Sequence, residues 1–227
     1  HAKQLGITQY TPMIHPVDVG QHEQDYRYDV ERIRQELDSE VILFCPLRHD
    51  WEIKGTDIHI RALPLIKDRV KGQVKLVLTE WGSEVEQSRA LISELGCADN
   101  IVWRKPMSRV TMIHYLKAAD VVLDQMALPH FGSTAPQALA AGVPVVMSYN
   151  PESTDWIVKT PAPVLAAFTP GQVANVVLQA LDPDWRADFS ERARKWIYSE
   201  HHPSRIVRDM LSVYRQILSS SAETNKE

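Results

Sequence analysis

Apolar positions along the chain follow two alternating rhythms. Nearly continuous apolar runs occur at residues 41–47 (VILFCPL), 74–79 (VKLVLT), 101–103, 121–124 and 143–148. Runs that short, apolar on both faces, predict strands covered by helices on each side, as in a parallel sheet. Between them the apolar residues recur at helical spacing. Val30, Ile33 and Leu37 mark a helix over 28–40, and Ile58, Ala62, Leu65 and Ile66 one over 56–70, with Pro64 set to bend it or spoil a turn. Ser83-Glu84-Val85-Glu86 reads as a capping box opening a helix that stops at Gly96, and further helices follow at 110–118 and 134–141. Beyond Pro170 the pattern is helical throughout: 171–181, 185–199 and 204–218, the last two divided by His201-His202-Pro203. Five strands alternating with helices predict an α/β fold, a doubly wound, Rossmann-like parallel sheet with extra C-terminal helices.

The ends read differently. Residues 1–26 have no sustained period and carry two prolines in TPMIHPVD, as a connector does, and 219–227 is a polar, frayed tail. The expected divisions are therefore 1–40 (linker and entry helix), 41–200 (the α/β domain), 201–218 (a C-terminal helix) and 219–227. The 227 residues carry 25 basic and 29 acidic groups for a formal charge of −4, which argues against a nucleic-acid partner. No apolar run approaches the 18 or so residues of a membrane span. Cys45 and Cys97 sit in apolar or helical segments and are expected as buried thiols, and the nine histidines show no ligand spacing, so no metal site is expected. The sequence opens at His1 without a signal-peptide pattern, as an internal piece of a longer cytoplasmic protein would.

In doubly wound sheets ligands bind outside the carboxyl ends of the strands, which selects four loops. The first holds Arg48 and Lys54, two cations between a strand's end and a helix's start, with Gly55 allowing close backbone approach and Thr56 or Asp57 available as a cap. A helix N-terminus favours anions, and two cations there can balance a diphosphate. The second is the turn Phe131-Gly132-Ser133-Thr134, which opens a helix carrying Gln137 and ending at Gly142. The third is Lys105-Pro106-Met107 after a strand, a stiffened loop able to face a flat base. The fourth, Asn150-Pro151-Glu152, offers Glu152 to sugar hydroxyls. Taken singly, each loop also reads as an ordinary connection.

Order and spacing narrow the choice. Arg48 followed by Lys54-Gly55, then Ala119-Asp120-Val121, Phe131-Gly132 and Ala140-Ala141-Gly142-Val143-Pro144-Val145-Val146, together resemble the carboxyl-terminal domain of the retaining GT-B glycosyltransferases of group 1. That family includes glycogen synthases and bacterial capsule and lipopolysaccharide enzymes. His15-Pro16-Val17-Asp18 resembles the point where the family's interdomain linker enters this domain. The resemblance implies half of a GT-B fold that binds a nucleotide diphosphate sugar and transfers the sugar with retention, needing neither metal nor cofactor. It implies Arg48 and Lys54 as the catalytic cations. It assigns donor contacts to Lys105, Pro106, Met107, Phe131, Gly132, Ser133, Thr134 and Gln137, and a sugar contact to Glu152. The acceptor, a glycan or lipid-linked glycan, would sit on an amino-terminal domain absent from this sequence, and any peripheral membrane contact would be made through that domain.

The family's pair of glutamates falls here on Pro129 and Gln137. Gln137 retains hydrogen-bonding capacity without the charge, and Pro129 cannot imitate a carboxylate. Two other readings therefore stand beside transfer: a non-catalytic domain of the same fold with a binding or assembly role, and a sugar-nucleotide epimerase, for which acidic residues would be expected in the cleft. In the last helix Ile206, Val207, Met210, Leu211, Tyr214 and Ile217 form an apolar stripe. It is expected to cross to the missing domain, or to support self-association where that domain is absent.

Overall fold

In the central strand β1 (Val41–Cys45) every residue is buried. Ile42 and Phe44 join the core on one face of the sheet, and Val41, Leu43 and Cys45 join the core on the other. The period-2 alternation of a strand divides the hydrophobic interior into two layers in the same way in β2 (Val74–Thr79), β4 (Val121–Leu123) and β5 (Val145–Met147). The half-buried β3 (Ile101–Arg104) and a short strand absent from the sequence reading, β6 (Leu165–Ala166), close the two edges. The computed structural model describes residues 13–130 and 132–224. All six strands run parallel, in the order β3-β2-β1-β4-β5-β6, with Leu43 opposite Leu76 on one side and Val121 on the other.

Helices cover both faces. One layer holds α2 (Arg27–Leu37), α6 (Arg109–Ala118), α7 (Thr134–Ala141) and α9 (Pro183–Glu200). The other holds α4 (Thr56–Lys67), α5 (Val85–Glu94) and α8 (Pro170–Ala180). Side-chain caps fix several starts: Ser108 accepts from the Thr111 amide (3.1 Å), Thr169 from Gln172 (3.3 Å) and Asp182 from Trp185 (2.8 Å). Two short helices escaped the sequence reading because neither spans enough turns to show a period: α1 (Val19–Glu23), capped by Asp18, and α3 (Trp51–Lys54), capped by Asp50.

Other expectations are corrected in detail. The capping box at Ser83 does not form, because α5 begins at Val85 and the Glu84 carboxylate instead accepts the Trp51 amide across the neighbouring loop. Helix α4 runs through Pro64 to Lys67 without the hydrogen bond that proline's missing amide would have made. The C-terminal helix α10 (Pro203–Thr224) continues past residue 218, since the serines, alanine and glutamate that follow contain no breaker. The thiols of Cys45 and Cys97 are free and buried, and burial pushes Cys45 up to about 12.

The entry segment docks where α9 gives way to α10. Val17 donates its amide to the His201 carbonyl (3.0 Å), and His201 Nδ1 pairs with the His15 carbonyl (3.0 Å). On α10, Ile206 enters the core and Met210 packs against it, whereas Val207, Leu211, Tyr214, Ile217 and Leu218 face solvent.

Burial holds the imidazoles of His22, His49 and His59 at about 4, against an ordinary value of 6.5. Between those values the unfolded chain binds more protons than the fold. Stability is therefore fully present above about pH 7 and is lost as pH falls, by on the order of 1 kcal/mol per pH unit for each histidine. Asp124 shifts upward through burial and opposes them with a single carboxyl. Thermal melting from pH 7.5 to 5 should show a steep fall in Tm, and a flat profile would show that these imidazoles titrate normally.

Candidate functional site

Strand order reverses between β1 and β4: the chain winds outward through β2 to β3, then returns to the other side of β1. The loops leaving β1 and β4 meet at that point, at the carboxyl ends of the strands, where open parallel sheets form their ligand crevice. Arg48 stands on the loop leaving β1 and Lys54 ends the single turn of α3 that follows. Asp50 organises the turn, one carboxylate oxygen accepting the Ile53 amide (3.0 Å) and the other pairing with Arg48 Nη2 (2.9 Å). Arg48 Nε is enclosed without a partner.

The segment after β2 locks this loop from the side. His49 donates its amide to the Trp81 carbonyl (2.8 Å), and its own carbonyl accepts the Glu84 amide (3.2 Å). Gly82, at φ +112°, lets the chains meet so closely that a Cβ there would lie 2.5 Å from His49 backbone atoms. The Ser88 hydroxyl pairs with His49 Nδ1 (2.7 Å) and accepts from Trp51 Nε1 (3.1 Å). Loop geometry around Arg48 is thus set by buried polar contacts rather than by solvent.

The β4 loop supplies two residues that sequence reasoning missed, Asp124 and Gln125, both buried. Asp124 accepts the amides of Gln125 (2.8 Å) and Ala135 (3.0 Å), so it caps the start of α7 from below, and its carbonyl is held by His59 Nε2 (2.7 Å). Gln125 accepts from Lys54 Nζ (2.6 Å) while its amide nitrogen donates to the His130 carbonyl, and its backbone carbonyl takes the Ser148 amide (3.0 Å). One glutamine therefore ties the loops after β1, β4 and β5. The available signal was the Asp-Gln pair interrupting an apolar strand at its carboxyl end, where a polar residue has work to do.

The remaining expected residues are distributed as follows. Ser133 precedes α7 and is exposed, and Gly132 and Thr134 are half-buried beside it. No described acceptor takes the amides of Ser133 or Thr134, and Pro136 has none to offer. Gln137 is half-buried on α7, with its carbonyl oxygen enclosed and unpartnered. Phe131 lies outside the described residues. Lys105 is 81% exposed and paired with Glu80 (2.6 Å), Pro106 is exposed, and Met107 packs on the core. Glu152 is exposed on a one-turn segment capped by Asn150, and the Pro129 carbonyl receives the Ser153 hydroxyl (2.5 Å). Lys54 and the α7 start are brought together through the Asp124-Gln125 loop. Among the described residues no group of three or more His, Cys, Asp or Glu is placed to hold a metal ion, and no helix is long and apolar enough to cross a membrane.

A lysine and helix-start amides with no described acceptor, both at the switch point, are groups that can receive an anionic ligand. Topology and layering together define a Rossmann-like α/β domain. The chain belongs to the glycosyl transferases group 1 family, whose model matches residues 29–196. It is 28% identical over 196 residues to a D-inositol 3-phosphate glycosyltransferase of Acidothermus cellulolyticus, covering 82% of this chain and 43% of that protein. It is 29% identical over 166 residues to an uncharacterised glycosyltransferase of Methanocaldococcus jannaschii, covering 71% and 42%. The chain thus spans less than half the length of these relatives. In fold it is similar to HepE of Anabaena, a structure in complex with UDP, with a TM-score of 0.79, 17% identity, and 94% and 60% of the two chains covered. A glycosyltransferase of Rickettsia africae aligns with a TM-score of 0.76 at 17% identity, covering 93% and 58%.

Gly55 is the hinge of this arrangement. It sits at φ +63°, and a Cβ would lie 2.8 Å from that of Met126. Gly55→Ala should cost about 2 kcal/mol, from the left-handed conformation together with the clash. Tm should fall by about 4–8 °C. An unchanged Tm would show that the Lys54–Gln125 wall is not rigidly joined.

Proposed function

We propose that this chain is the nucleotide-sugar-binding part of a glycosyltransferase that transfers a sugar from a nucleotide diphosphate with retention and without a divalent ion. The observation that carries this reading is Lys54, whose ammonium is held at the switch point by the neutral oxygen of Gln125 (2.6 Å). In the reaction the anomeric carbon exchanges its bond to the diphosphate oxygen for one to an acceptor hydroxyl oxygen, and the hydroxyl proton leaves with the diphosphate. Charge grows on the departing diphosphate, and Lys54, Arg48 and the free amides at the α7 start are the preorganised donors that stabilise it. The UDP seen with HepE of Anabaena supports a nucleoside diphosphate as the donor's leaving group.

A second reading rests on one observation. Pro129 and Gln137 stand where this family's glutamates are expected, and Gln137 offers an enclosed but uncharged acceptor. A domain that binds the nucleotide sugar without transferring it would need no more than that.

Calorimetry with UDP tests the binding common to both readings. Lys54→Ala and Arg48→Ala should each weaken binding, by roughly 2–5 kcal/mol if the crevice is dry and less if wet. Unchanged affinity in both variants would remove the site from this loop. Gln137→Glu should tighten binding by roughly 1 kcal/mol once the side chain turns out of its enclosed position to make a charge-assisted bond to ribose, and a loss of binding would place the ribose elsewhere.

The exposed stripe of α10 belongs to the same proposal. Tyr214 is 51% and Ile217 57% exposed, and the relatives are more than twice as long as the matched region. The stripe is a docking face for the amino-terminal domain of the longer protein, and without that domain it promotes self-association. Light scattering should show concentration-dependent association that Leu211→Glu with Ile217→Glu abolishes. A monomer at every concentration would refute the self-association.

A further inference from the structure

Toward the amino ends of the strands, away from the crevice, a second cleft of about 320 Å³ opens between α1, the last turns of α6 and α7, and α9. Its lining includes His22, Glu23, Lys117, Ala140, Arg194 and Tyr198. His22 is only 3% exposed, yet both of its ring nitrogens are enclosed without a hydrogen-bond partner. A buried imidazole with neither nitrogen satisfied costs free energy that a native structure ordinarily recovers with a ligand or water.

The cations around it have no carboxylate partner among the described residues. Lys117 donates to the Gln24 carbonyl (3.1 Å) and lies 5.3 Å from the Tyr26 ring centre, with no described carboxylate at ion-pair distance. The Arg194 guanidinium fills the space that a side chain at residue 142 would take, 2.8 Å from a Cβ there, and no described carboxylate pairs with it. Burial and then Arg194 depress Lys117 against a smaller opposing pull from Asp25, and burial depresses His22 with Lys117 and Arg109 adding to it and Asp18 opposing. Like charges have been gathered, and each raises the cost of the next. Of the acids nearby, Asp18 is engaged in capping α1, Asp25 is paired with Arg27 (2.7 Å), and Glu23 is exposed on the rim. The carbonyl ends of α6 and α7 supply about half a negative charge each, which offsets part of the charge of the two cations and leaves a net positive balance.

We propose that this cleft is a binding site for a phosphate group, held by Arg194, Lys117 and His22. A guanidinium, an ammonium and an imidazole N–H present donors from three sides, a set suited to a tetrahedral oxyanion. The volume accommodates inorganic phosphate or a small phosphomonoester. Binding would satisfy one nitrogen of His22 directly and relieve the repulsion among the cations. The site is separate from the crevice in position and does not depend on the reaction proposed for it.

The test follows the His22 imidazole resonances by NMR during titration with inorganic phosphate, and separately with a hexose phosphate. A saturable shift is expected, accompanied by a rise in the His22 pKa, since a bound dianion favours the imidazolium. Arg194→Gln and Lys117→Gln should each weaken binding about tenfold, the ordinary value of one charged donor in a part-exposed site. Arg194 is exposed, so its replacement leaves the core intact. Equal affinity for both ligands identifies phosphate as the whole determinant, and tighter binding of the ester shows that the remaining cleft also contributes. The proposal is overturned if His22 shows no saturable shift, or if the shift survives in the Arg194→Gln, Lys117→Gln double variant.

Discussion

At the start of β4 the buried carboxylate of Asp120 joins four elements that are far apart in sequence. It accepts the Ile42 amide from β1 (2.8 Å), Arg34 from α2 (3.3 Å) and Arg186 from α9 (2.8 Å), while its own amide donates to the Ile42 carbonyl (2.8 Å). A charge taken out of water is tolerable only when its lone pairs are used, and removing a partner from such a group costs about 3–5 kcal/mol. Any register slip of β4 against β1 would carry Asp120 away from Ile42 and leave the carboxylate buried and unpaired. The contact therefore specifies which strand sits beside β1 and how far along it. Because β4 is only three residues long, that register carries directly to Asp124 and Gln125 at its far end.

This explains why Ala119-Asp120-Val121 is informative in sequence although Asp120 is nowhere near the ligand crevice. Its contribution to function is positional. Through it the β4 loop arrives opposite α3, where Gln125 meets Lys54 and Met126 donates its amide to the Lys54 carbonyl (2.8 Å). Gly55 and Gly82 permit the close approaches on either side, at backbone angles that side chains rarely adopt. The crevice is consequently built from backbone proximity first and side-chain chemistry second.

What was legible in the sequence follows from the same physics. Strands β1, β2, β4 and β5 announced themselves because burial on both faces demands continuous apolar runs. Strand β6 did not, since two residues at an edge carry no period. Helix α7 was read correctly from its alanines and Gly142, whereas α3 was hidden inside a loop because one turn has no repeat. In the crevice, Arg48 and Lys54 were visible as cations between a strand and a helix. Asp124 and Gln125 were passed over because they follow an apolar run and read as its polar end. Their importance lies in contacts with residues 54, 59, 130, 135 and 148, and such long-range pairs leave no trace in local pattern.

The two cations of the crevice are not equivalent. Arg48 is already paired with a carboxylate, Asp50, at 2.9 Å, and that same carboxylate caps α3. An arriving anion must share Arg48 with Asp50 or displace it, and displacement would loosen the turn that carries Lys54. The guanidinium has five donors, and sharing is the less costly course. Lys54, by contrast, is held by a neutral amide oxygen, so its charge is positioned without being cancelled. Exchanging an amide for a phosphate oxygen gains a charge-assisted bond and disturbs no ion pair. Close by, the buried Asp124 carboxylate occupies the Ala135 amide at the α7 start, which keeps a negative charge beneath the place where an anion would seat. Lys54 offsets that charge, and in the proposed binding it would also meet the ligand. The electrostatics of the crevice therefore converge on Lys54, with Arg48 acting from the rim and Gln125 fixing the geometry in which both can operate.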